Sequence, residues 1–281
     1  MDLGIGLPNA VPGATGEQLI EWARRAERRG FSSLGTIDRI LYDNYEPLTA
    51  LAGAAAVTER IGLCTTVLVG PPRANSVLLA KQALSVQALS GGRLTLGIAL
   101  GAREDDYEVS GVDYQGRARL LDAQLETIRQ TWAEDRVGPL VDDRPRLVLG
   151  GHADAAFARA ARFGDGWIAG GSGPEEFAEM AGKARQAWKD AGNEGELRTM
   201  ALGYYSLGDG AEENARAALG DYYAWLGEEI AGYIIAGAAT DLDQVRQYLS
   251  AYEQAGCDEL ILFPCTADPD QVDLLAEAAG L

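Results

Sequence analysis

Two kinds of apolar segment alternate along the chain. Short runs rich in Val, Ile and Leu are typical of strands buried on both faces, whereas longer segments rich in Ala, Leu, Glu and Arg carry apolar residues at helical spacing. The short runs predict strands at residues 3–7, 33–37, 62–69, 94–99, 146–149, 166–169, 199–207 and 259–263. The longer segments predict helices at residues 15–29, 47–59, 76–89, 117–132, 154–163, 174–191, 211–229, 242–255 and 269–279.

Strict alternation of strands and helices implies a parallel sheet. Eight such units in 281 residues match the size of a closed (β/α)8 TIM barrel, here with an extra helical segment between the seventh and eighth strands. A doubly wound open sheet usually has fewer strands and often a G-x-G-x-x-G turn after the first, which "GIGLPNAVPG" does not match. No linker or low-complexity tract interrupts the pattern, so residues 1–281 are predicted to form a single domain.

Composition narrows the possible partners. A formal charge of −18 argues against nucleic acid and against anionic membranes, because both require a basic surface. One histidine and three cysteines without metal-like spacing argue against a His/Cys metal site. The chain has no apolar run long enough for a membrane helix and no signal-peptide pattern at its start. We therefore expect a cytoplasmic protein with reduced cysteines.

In a barrel of this kind, function is expected where the strands end. Gly150-Gly151-His152 lies between a predicted strand and a helix, and Gly170-Gly171 repeats the arrangement one strand later. Bare glycine N–H groups beside a helix N-terminus suit a phosphate, although such glycines also form tight turns without a ligand.

Charged and aromatic residues follow other strands. Asp38 and Arg39 could contact a ligand or form an ion pair within their loop, and Arg73 could bind an anion or only close its own loop. Five aromatic residues could line a substrate pocket or belong to the core: Tyr204, Tyr205, Tyr222, Tyr223 and Trp225.

With these segments identified, the chain resembles the luciferase-like flavin-dependent monooxygenase superfamily. The resemblance covers essentially the whole chain and depends on "GFSSLGTIDRI", "ERIGLCTTVLVGPPRANSVLLAKQALSVQALSGGRLTLGIALGAREDDYEVSG" and "VLGGHADAAFARAARFGDGW". It implies a (β/α)8 barrel, often a homodimer, that binds reduced FMN or the deazaflavin coenzyme F420 at the carboxyl ends of its strands.

The resemblance also implies site residues. Residues 64–67 correspond to the strand that lies against the isoalloxazine ring, where relatives often have a non-proline cis peptide, which we place at Thr66-Val67. Residues 150–156 correspond to a phosphate loop, and Arg117 or Arg119 to an arginine that reaches the phosphate. The predicted cofactor-binding residues are Cys64, Thr65, Thr66, Leu100, Gly101, Arg103, Arg119, Gly150, Gly151, His152, Gly170 and Gly171, the catalytic candidates are Asp38, Arg39 and Arg73, and no metal ligand is predicted.

Two departures from the family pattern bear on catalysis. Many relatives have histidine where this chain has Arg39, and "RHP" where it has Arg73-Ala74-Asn75. Proton transfer would then depend on His152, on a tyrosine or on the cofactor, and His152 lies in the predicted phosphate loop.

The leading hypothesis is an FMNH2- and O2-dependent monooxygenase for a small organic substrate, supplied with reduced flavin by an NAD(P)H:flavin reductase. The alternatives are an F420-dependent hydride-transfer oxidoreductase and a flavin-binding protein without turnover. The substrate cannot be read from the sequence, because the loops at the strand ends determine it.

Overall fold

The sheet of this computed structural model, described for residues 1–134 and 136–281, contains nine strands, all paired in parallel. They are β1 Asp2–Gly6, β2 Ser33–Thr36, β3 Gly62–Thr65, β4 Leu68–Val69, β5 Leu94–Ala99, β6 Arg146–Gly150, β7 Gly166–Ala169, β8 Arg198–Tyr205 and β9 Glu259–Pro264. The helices are α1 Gly16–Arg29, α2 Pro47–Ala55, α3 Ser76–Leu89, α4 Glu104–Val109, α5 Arg117–Ala133, α6 Asp154–Phe163, α7 Pro174–Asp190, α8 Ala211–Tyr223, α9 Glu228–Ala236, α10 Leu242–Gln254 and α11 Asp270–Ala279.

The strands close into a barrel. Their order is β3-β2-β1-β9-β8-β7-β6-β5-β4, and β3 also pairs with β5. β3 and β4 are two parts of one barrel strand, interrupted at a cis peptide bond between Thr66 and Val67. The nine strands thus form eight staves, and the predicted (β/α)8 barrel and the predicted position of the cis bond are both confirmed.

Local sequence explains where the helices begin and end. The Thr15 hydroxyl accepts a hydrogen bond from the Gln18 N–H at 3.2 Å, and the Gln18 side chain accepts one from the Thr15 N–H at 2.8 Å. This capping box starts α1. Gly30 ends the helix in the left-handed region at φ 90°, a conformation that glycine adopts without strain.

The barrel interior is filled by a few large side chains set against glycines. A Cβ atom on Gly6 would lie 2.1 Å from the Phe263 ring, and one on Gly35 would lie 2.8 Å from Ile261. A Cβ atom on Gly97 would lie 2.0 Å from the carbonyl oxygen of Thr65. These positions require glycine, and together with Met200 they form an apolar layer between the two ends of the barrel.

The structure differs from the predicted elements in three places. Helix α4 follows β5 where a loop is predicted, and the helix predicted at residues 47–59 ends at Ala55. The helical region after β8 extends to Ala236 and comprises α8, a short 3-10 turn at Ala224–Leu226, and α9. Within the described residues, no helix is both long enough and apolar enough to cross a membrane.

Candidate active site at the carboxyl ends of the strands

Asp38 and Arg73 form a buried ion pair at the ends of β2 and β4. One Asp38 oxygen accepts from Arg73 at 2.6 Å and from the Val69 N–H at 2.7 Å, and the other accepts from Arg73 at 3.2 Å. Arg73 also donates to Glu46 at 3.1 Å. Burial raises the pKa of the Asp38 carboxyl, and the guanidinium of Arg73 opposes that effect. The pair joins the loops after β2 and β4, so both side chains are held in place by each other.

Arg39 lies between two tyrosine rings. Its guanidinium carbon is 5.1 Å from the centre of the Tyr42 ring and 5.4 Å from that of Tyr222. Its Nε lies 3.3 Å from a carboxylate oxygen of Asp106, which is also buried. Aromatic faces and a nearby carboxylate stabilise a buried cation. Arg39 therefore connects the β2 loop to helix α8, which supplies Tyr222.

Helix α4 explains the acidic run after β5. The carboxylate of Asp106 accepts hydrogen bonds from the backbone N–H groups of Ile40 at 3.0 Å and Leu41 at 2.7 Å. Arg103 pairs with Asp105 and lies 5.2 Å from the centre of the Trp225 ring. The acids thus bind neighbouring loops, and Arg103 contacts a carboxylate and an aromatic ring at the entrance to the barrel.

Residues 211–236, called here the covering segment, lie over the carboxyl end of the barrel. Their apolar side chains at Leu219, Tyr223 and Ile234 pack against interior residues such as Tyr204 and Phe263. The segment is fastened by hydrogen bonds from Tyr42 to Asp221 and between the hydroxyls of Tyr204 and Tyr223, both 2.5 Å long. Burial raises the pKa of Tyr204 well above its ordinary value. Tyr204, Tyr205 and Tyr223 therefore belong to the core, whereas Trp225 is exposed.

Thr65 and Thr66 hold the interrupted barrel strand, made of β3 and β4, in place. The Thr65 hydroxyl donates to the Gly97 carbonyl at 2.6 Å, and the Thr66 hydroxyl donates to the Thr36 carbonyl at 3.2 Å. Cys64 lies elsewhere: it belongs to the interior cluster and lines a cavity at the amino ends of the strands. Burial raises the pKa of its thiol well above the ordinary value, so the group is neutral. The Cys64 side chain thus faces the amino-end side of the interior, and its contact with a cofactor stays a prediction.

The inner wall at the carboxyl end is made of small residues. A Cβ atom on Gly150 would lie 3.1 Å from Val67 and 3.2 Å from Ala99, so these three positions are in contact. Gly170, at the end of β7, has more room, since a Cβ atom there would lie 3.7 Å from Leu202. At Gly170 the absence of a side chain leaves room for a flat ring to approach the backbone.

The two predicted glycine loops lie at this wall. Gly151 has φ 138°, and a Cβ atom on it would lie 2.7 Å from Ala156 in the first turn of α6. His152 is exposed beside it. Gly171 has φ 65° and is also exposed, close to the start of α7. For neither helix does a described side chain cap the N-terminus. The Ala156 N–H of α6 donates to the Ala153 carbonyl and Pro174 of α7 has no N–H, which leaves other N–H groups of the first turns to bind an anion.

Ser172 is a site residue that the sequence prediction did not select. Its side chain is buried, and among the described residues its hydroxyl has no hydrogen-bond partner. It lines a cavity of about 190 Å3 together with Gly171, Leu202 and Tyr233 of the covering segment. A buried hydroxyl without a partner is costly, and such groups are common where a ligand binds. In the sequence, the feature that could have identified Ser172 is its position directly after Gly170 and Gly171.

The remaining predicted residues lie around the entrance. The Leu100 carbonyl accepts a hydrogen bond from the Tyr107 hydroxyl. Gly101 has φ 71°, and a Cβ atom there would lie 2.8 Å from Val69. Arg119 is exposed at the start of α5. Arg117 is more enclosed, with its guanidinium carbon 3.8 Å from the centre of the Tyr114 ring. The structure thus leaves both arginines near the loop after β5.

Curated relatives of the chain include a named monooxygenase. The pyrimidine monooxygenase RutA of Escherichia coli is 27% identical over 222 residues, which are 70% of this chain and 59% of RutA. The chain therefore spans less than two thirds of RutA. An uncharacterised protein of Mycobacterium bovis is 31% identical over 209 residues, which are 62% of this chain and 72% of that protein.

Solved structures share the fold over nearly the whole chain. An F420-dependent secondary alcohol dehydrogenase superposes with a TM-score of 0.84 at 17% identity, covering 99% of this chain and 97% of the other. The monooxygenase RslO1 from Streptomyces bottropensis superposes with a TM-score of 0.79 at 21% identity, covering 99% and 98%. A family model described as luciferase-like monooxygenase matches residues 1–261. The chain therefore belongs to the luciferase-like monooxygenase family.

Proposed function

We propose that this protein is a flavin-dependent monooxygenase that binds reduced FMN at the carboxyl ends of the strands and oxidises a small organic substrate. The observation that carries the proposal is the wall of Val67, Ala99, Gly150 and Gly170 beside two helix N-termini. Membership of the family supports the same reaction class.

The residues at the entrance fit such a cofactor. The small-residue wall suits the flat face of an isoalloxazine ring, and the glycine N–H groups at the start of α6 suit its phosphate. The free hydroxyl of Ser172 supplies one more hydrogen-bond donor. Reduced FMN, when bound, supplies the two electrons that allow one atom of O2 to enter the substrate while the other leaves as water.

The catalytic candidates act mainly by shaping the site. Asp38 and Arg73 neutralise each other and fix the two loops, while Arg39 holds Tyr222 over the entrance. Because each charged group already has a partner, these residues position the walls of the pocket and keep water out. His152 is exposed beside the glycine loop and is placed to bind an anionic group.

Ligand entry requires movement of the covering segment. Between this segment and the barrel lie cavities of about 190 and 30 Å3. Small-molecule sites usually measure about 300 to 1,000 Å3. We therefore propose that the covering segment shifts when the cofactor and substrate bind, and that Gly227, at φ 85°, allows part of that movement.

Cofactor titration tests the proposal. FMN, FMNH2 and F420 are titrated against one sample by fluorescence quenching, and O2 uptake is measured with FMNH2. We expect FMNH2 to bind more tightly than F420 and O2 uptake to follow binding. Tighter binding of F420 would favour the hydride-transfer alternative, and flavin binding without oxygen or hydride chemistry would favour a protein without turnover. No binding of any of the three contradicts the proposal.

A matched pair of glycine variants locates the site. Gly170→Val places a branched side chain into the small-residue wall, and we expect it to weaken FMNH2 binding at least about tenfold. Gly182→Ala, on the exposed face of α7, meets nothing within 4 Å in the described chain and should leave binding unchanged. Equal affinity of both variants would place the cofactor elsewhere.

The proposed reaction requires a supply of reduced flavin. We propose that an NAD(P)H:flavin reductase supplies the reduced flavin in the cytoplasm and that the protein acts as a homodimer. Val77, Leu78 and Leu89 of α3 are exposed apolar residues that a second copy could cover. Light scattering coupled to gel filtration gives the mass, and a monomer at working concentration would contradict the dimer.

A further inference from the structure

A cavity of about 720 Å3 lies at the amino ends of the strands, opposite the proposed active site. It is lined by first or second residues of barrel strands, among them Asp2, Ser33, Arg146, Arg198 and Glu259. Arg146 lies two residues before Val148, which belongs to the interior cluster, so strand alternation turns Arg146 toward the interior as well.

Four arginines and four acids line this cavity, so its lining carries no net charge. Arg198 donates to Glu259 at 2.9 Å and to Asp2 at 3.0 Å. Glu259 also accepts hydrogen bonds from the hydroxyls of Ser32 at 2.7 Å and Ser33 at 2.6 Å. These groups form a closed network with no need of a ligand.

A second ion pair, between Arg144 and Asp165, lies at the edge of the cavity. Both terminal nitrogens of Arg144 donate to the carboxylate of Asp165, each at 2.7 Å. Asp165 accepts in addition from the Leu147 N–H at 2.8 Å. This pair too is satisfied within the chain.

Two arginines of the lining have no acidic partner in the described part of the chain. Arg93 donates to the carbonyls of Ser90 and Ile61, both at 2.6 Å. Its hydrogen bonds are thus satisfied, but no described carboxylate forms an ion pair with it. Burial lowers the pKa of Arg93, and the negative charge of Glu27 opposes that effect. Arg146 is exposed to the cavity, and the described residues offer its side chain neither an ion pair nor a hydrogen bond. Against these two cations stand the unpaired carboxylate of Asp143 and the one excess negative charge of Asp2 and Glu259, which share Arg198.

We propose that this cavity binds a small oxyanion, a phosphate or a carboxylate group, with Arg146 as its direct ligand. The planar guanidinium of Arg146 has free donors for two parallel hydrogen bonds to such a group. Arg93 directly precedes strand β5, whose Thr95 pairs in register with Arg146, and also lines the cavity. The net charge of −18 repels anions from most of the surface, whereas the lining of this cavity is neutral and Arg146 within it has no ion pair in the described chain.

Calorimetric titration with inorganic phosphate, and separately with succinate, tests the site at low ionic strength. Both probes present oxyanions, and comparing them distinguishes a phosphate from a carboxylate ligand. The variants are Arg146→Gln, which removes the charge, and Arg146→Lys, which keeps it without the fork. Arg216→Gln, on the exposed surface of α8, is the matched control.

We expect at least one probe to bind, with affinity reduced at least about tenfold in Arg146→Gln, reduced less in Arg146→Lys and unchanged in Arg216→Gln. Equal affinity in wild type and Arg146→Gln overturns the site, because the anion then binds elsewhere, including at the glycine loops. Absence of binding by both probes overturns it as well. Arg146 supports no described side-chain contact, so its variants are expected to fold, and circular dichroism checks this.

Discussion

The two ends of the barrel use the same parallel strands in opposite ways. At the carboxyl end, the wall is made of small residues and a covering segment encloses it, with cavities of about 190 and 30 Å3. At the amino end, charged residues line a cavity of about 720 Å3. The helices that directly follow a strand also begin at the carboxyl end, because that is where the preceding strand ends.

This difference shows that burial, and not the number of charges, determines what a charged residue does. Both ends have arginine–aspartate pairs. At the carboxyl end Asp38 is almost fully buried, and its pair with Arg73 supports two loops. At the amino end the side chain of Asp165 is 32% exposed and its pair with Arg144 lies on the rim. We expect the buried Asp38–Arg73 pair to be rigid. The more exposed Arg144–Asp165 pair leaves room for an exchangeable anion nearby.

The largest effect is expected from disturbing the layer that separates the two ends. Gly97→Ala places a Cβ atom 2.0 Å from the Thr65 carbonyl, and a backbone atom cannot move aside. We expect more than about 4 kcal/mol of destabilisation, measured by urea unfolding, or loss of the folded protein. Gly53→Ala in α2 is the control, since its Cβ would meet Ile20 at an ordinary 3.6 Å. Equal stability of the two variants would show that the ends are not separated by a tightly packed layer.

The next effect compares the two ion pairs. Asp38→Ala leaves Arg73 buried without its main partner, and we expect a loss of about 3 kcal/mol. Asp165→Ala removes a partly exposed pair and one backbone hydrogen bond, for which we expect about 1 kcal/mol. Urea unfolding of both variants gives the ratio. A larger loss of stability in Asp165→Ala than in Asp38→Ala would show that burial does not explain the difference between the two ends.

Much of the barrel could be predicted from the sequence because its determinants are local. Helix α3 at Ser76–Leu89 and strand β5 at Leu94–Ala99 have the predicted bounds, since Ser90-Gly91-Gly92 separates two clear apolar patterns. Helix α4 was missed because it has six residues, four of them acidic, and "REDDYEV" has no helical apolar repeat. The position of the cis bond came from the family resemblance and could not have come from periodicity.

The site was harder to predict because its contacts join distant parts of the chain. Asp106 binds the backbone at residues 40 and 41, and Tyr222 reaches Arg39 across more than half the sequence. The spacing of residues along the chain does not indicate such long-range contacts. Cys64 shows a related limit: it directly precedes Thr65 and Thr66 in the sequence, but strand alternation directs its side chain into the interior cluster.

A smaller effect concerns the free hydroxyl of Ser172. Ser172→Ala removes a buried polar group without a described partner, so we expect stability to be unchanged or to rise by up to about 1 kcal/mol. If the hydroxyl binds the cofactor, affinity for FMNH2 falls about tenfold at the same time. Ser206→Ala is the matched control, because its hydroxyl is also buried and unpartnered in the described chain but does not line the 190 Å3 cavity. Unchanged affinity in Ser172→Ala would remove this residue from the proposed site.

The smallest effect is a pH dependence at the entrance. The hydrogen bond from Arg103 lowers the pKa of Asp105 below its ordinary value. Its pair therefore contributes stability above about pH 4, where the unfolded carboxyl is ionised, and the contribution is lost as the pH falls through the lower pKa of the folded state. Because the side chain of Asp105 is 33% exposed, we expect only about 0.5 kcal/mol.

Urea unfolding of wild type and Asp105→Asn between pH 3 and pH 7 measures this contribution. The difference between the two proteins should be constant above about pH 5 and should shrink toward zero at the acid end. Asp142→Asn, on an exposed loop, should show no difference at any pH. A gap that widens on acidification would mean that Asp105 is stabilised in its protonated form. In that case Arg103 would be free to turn from the carboxylate toward a ligand at the entrance.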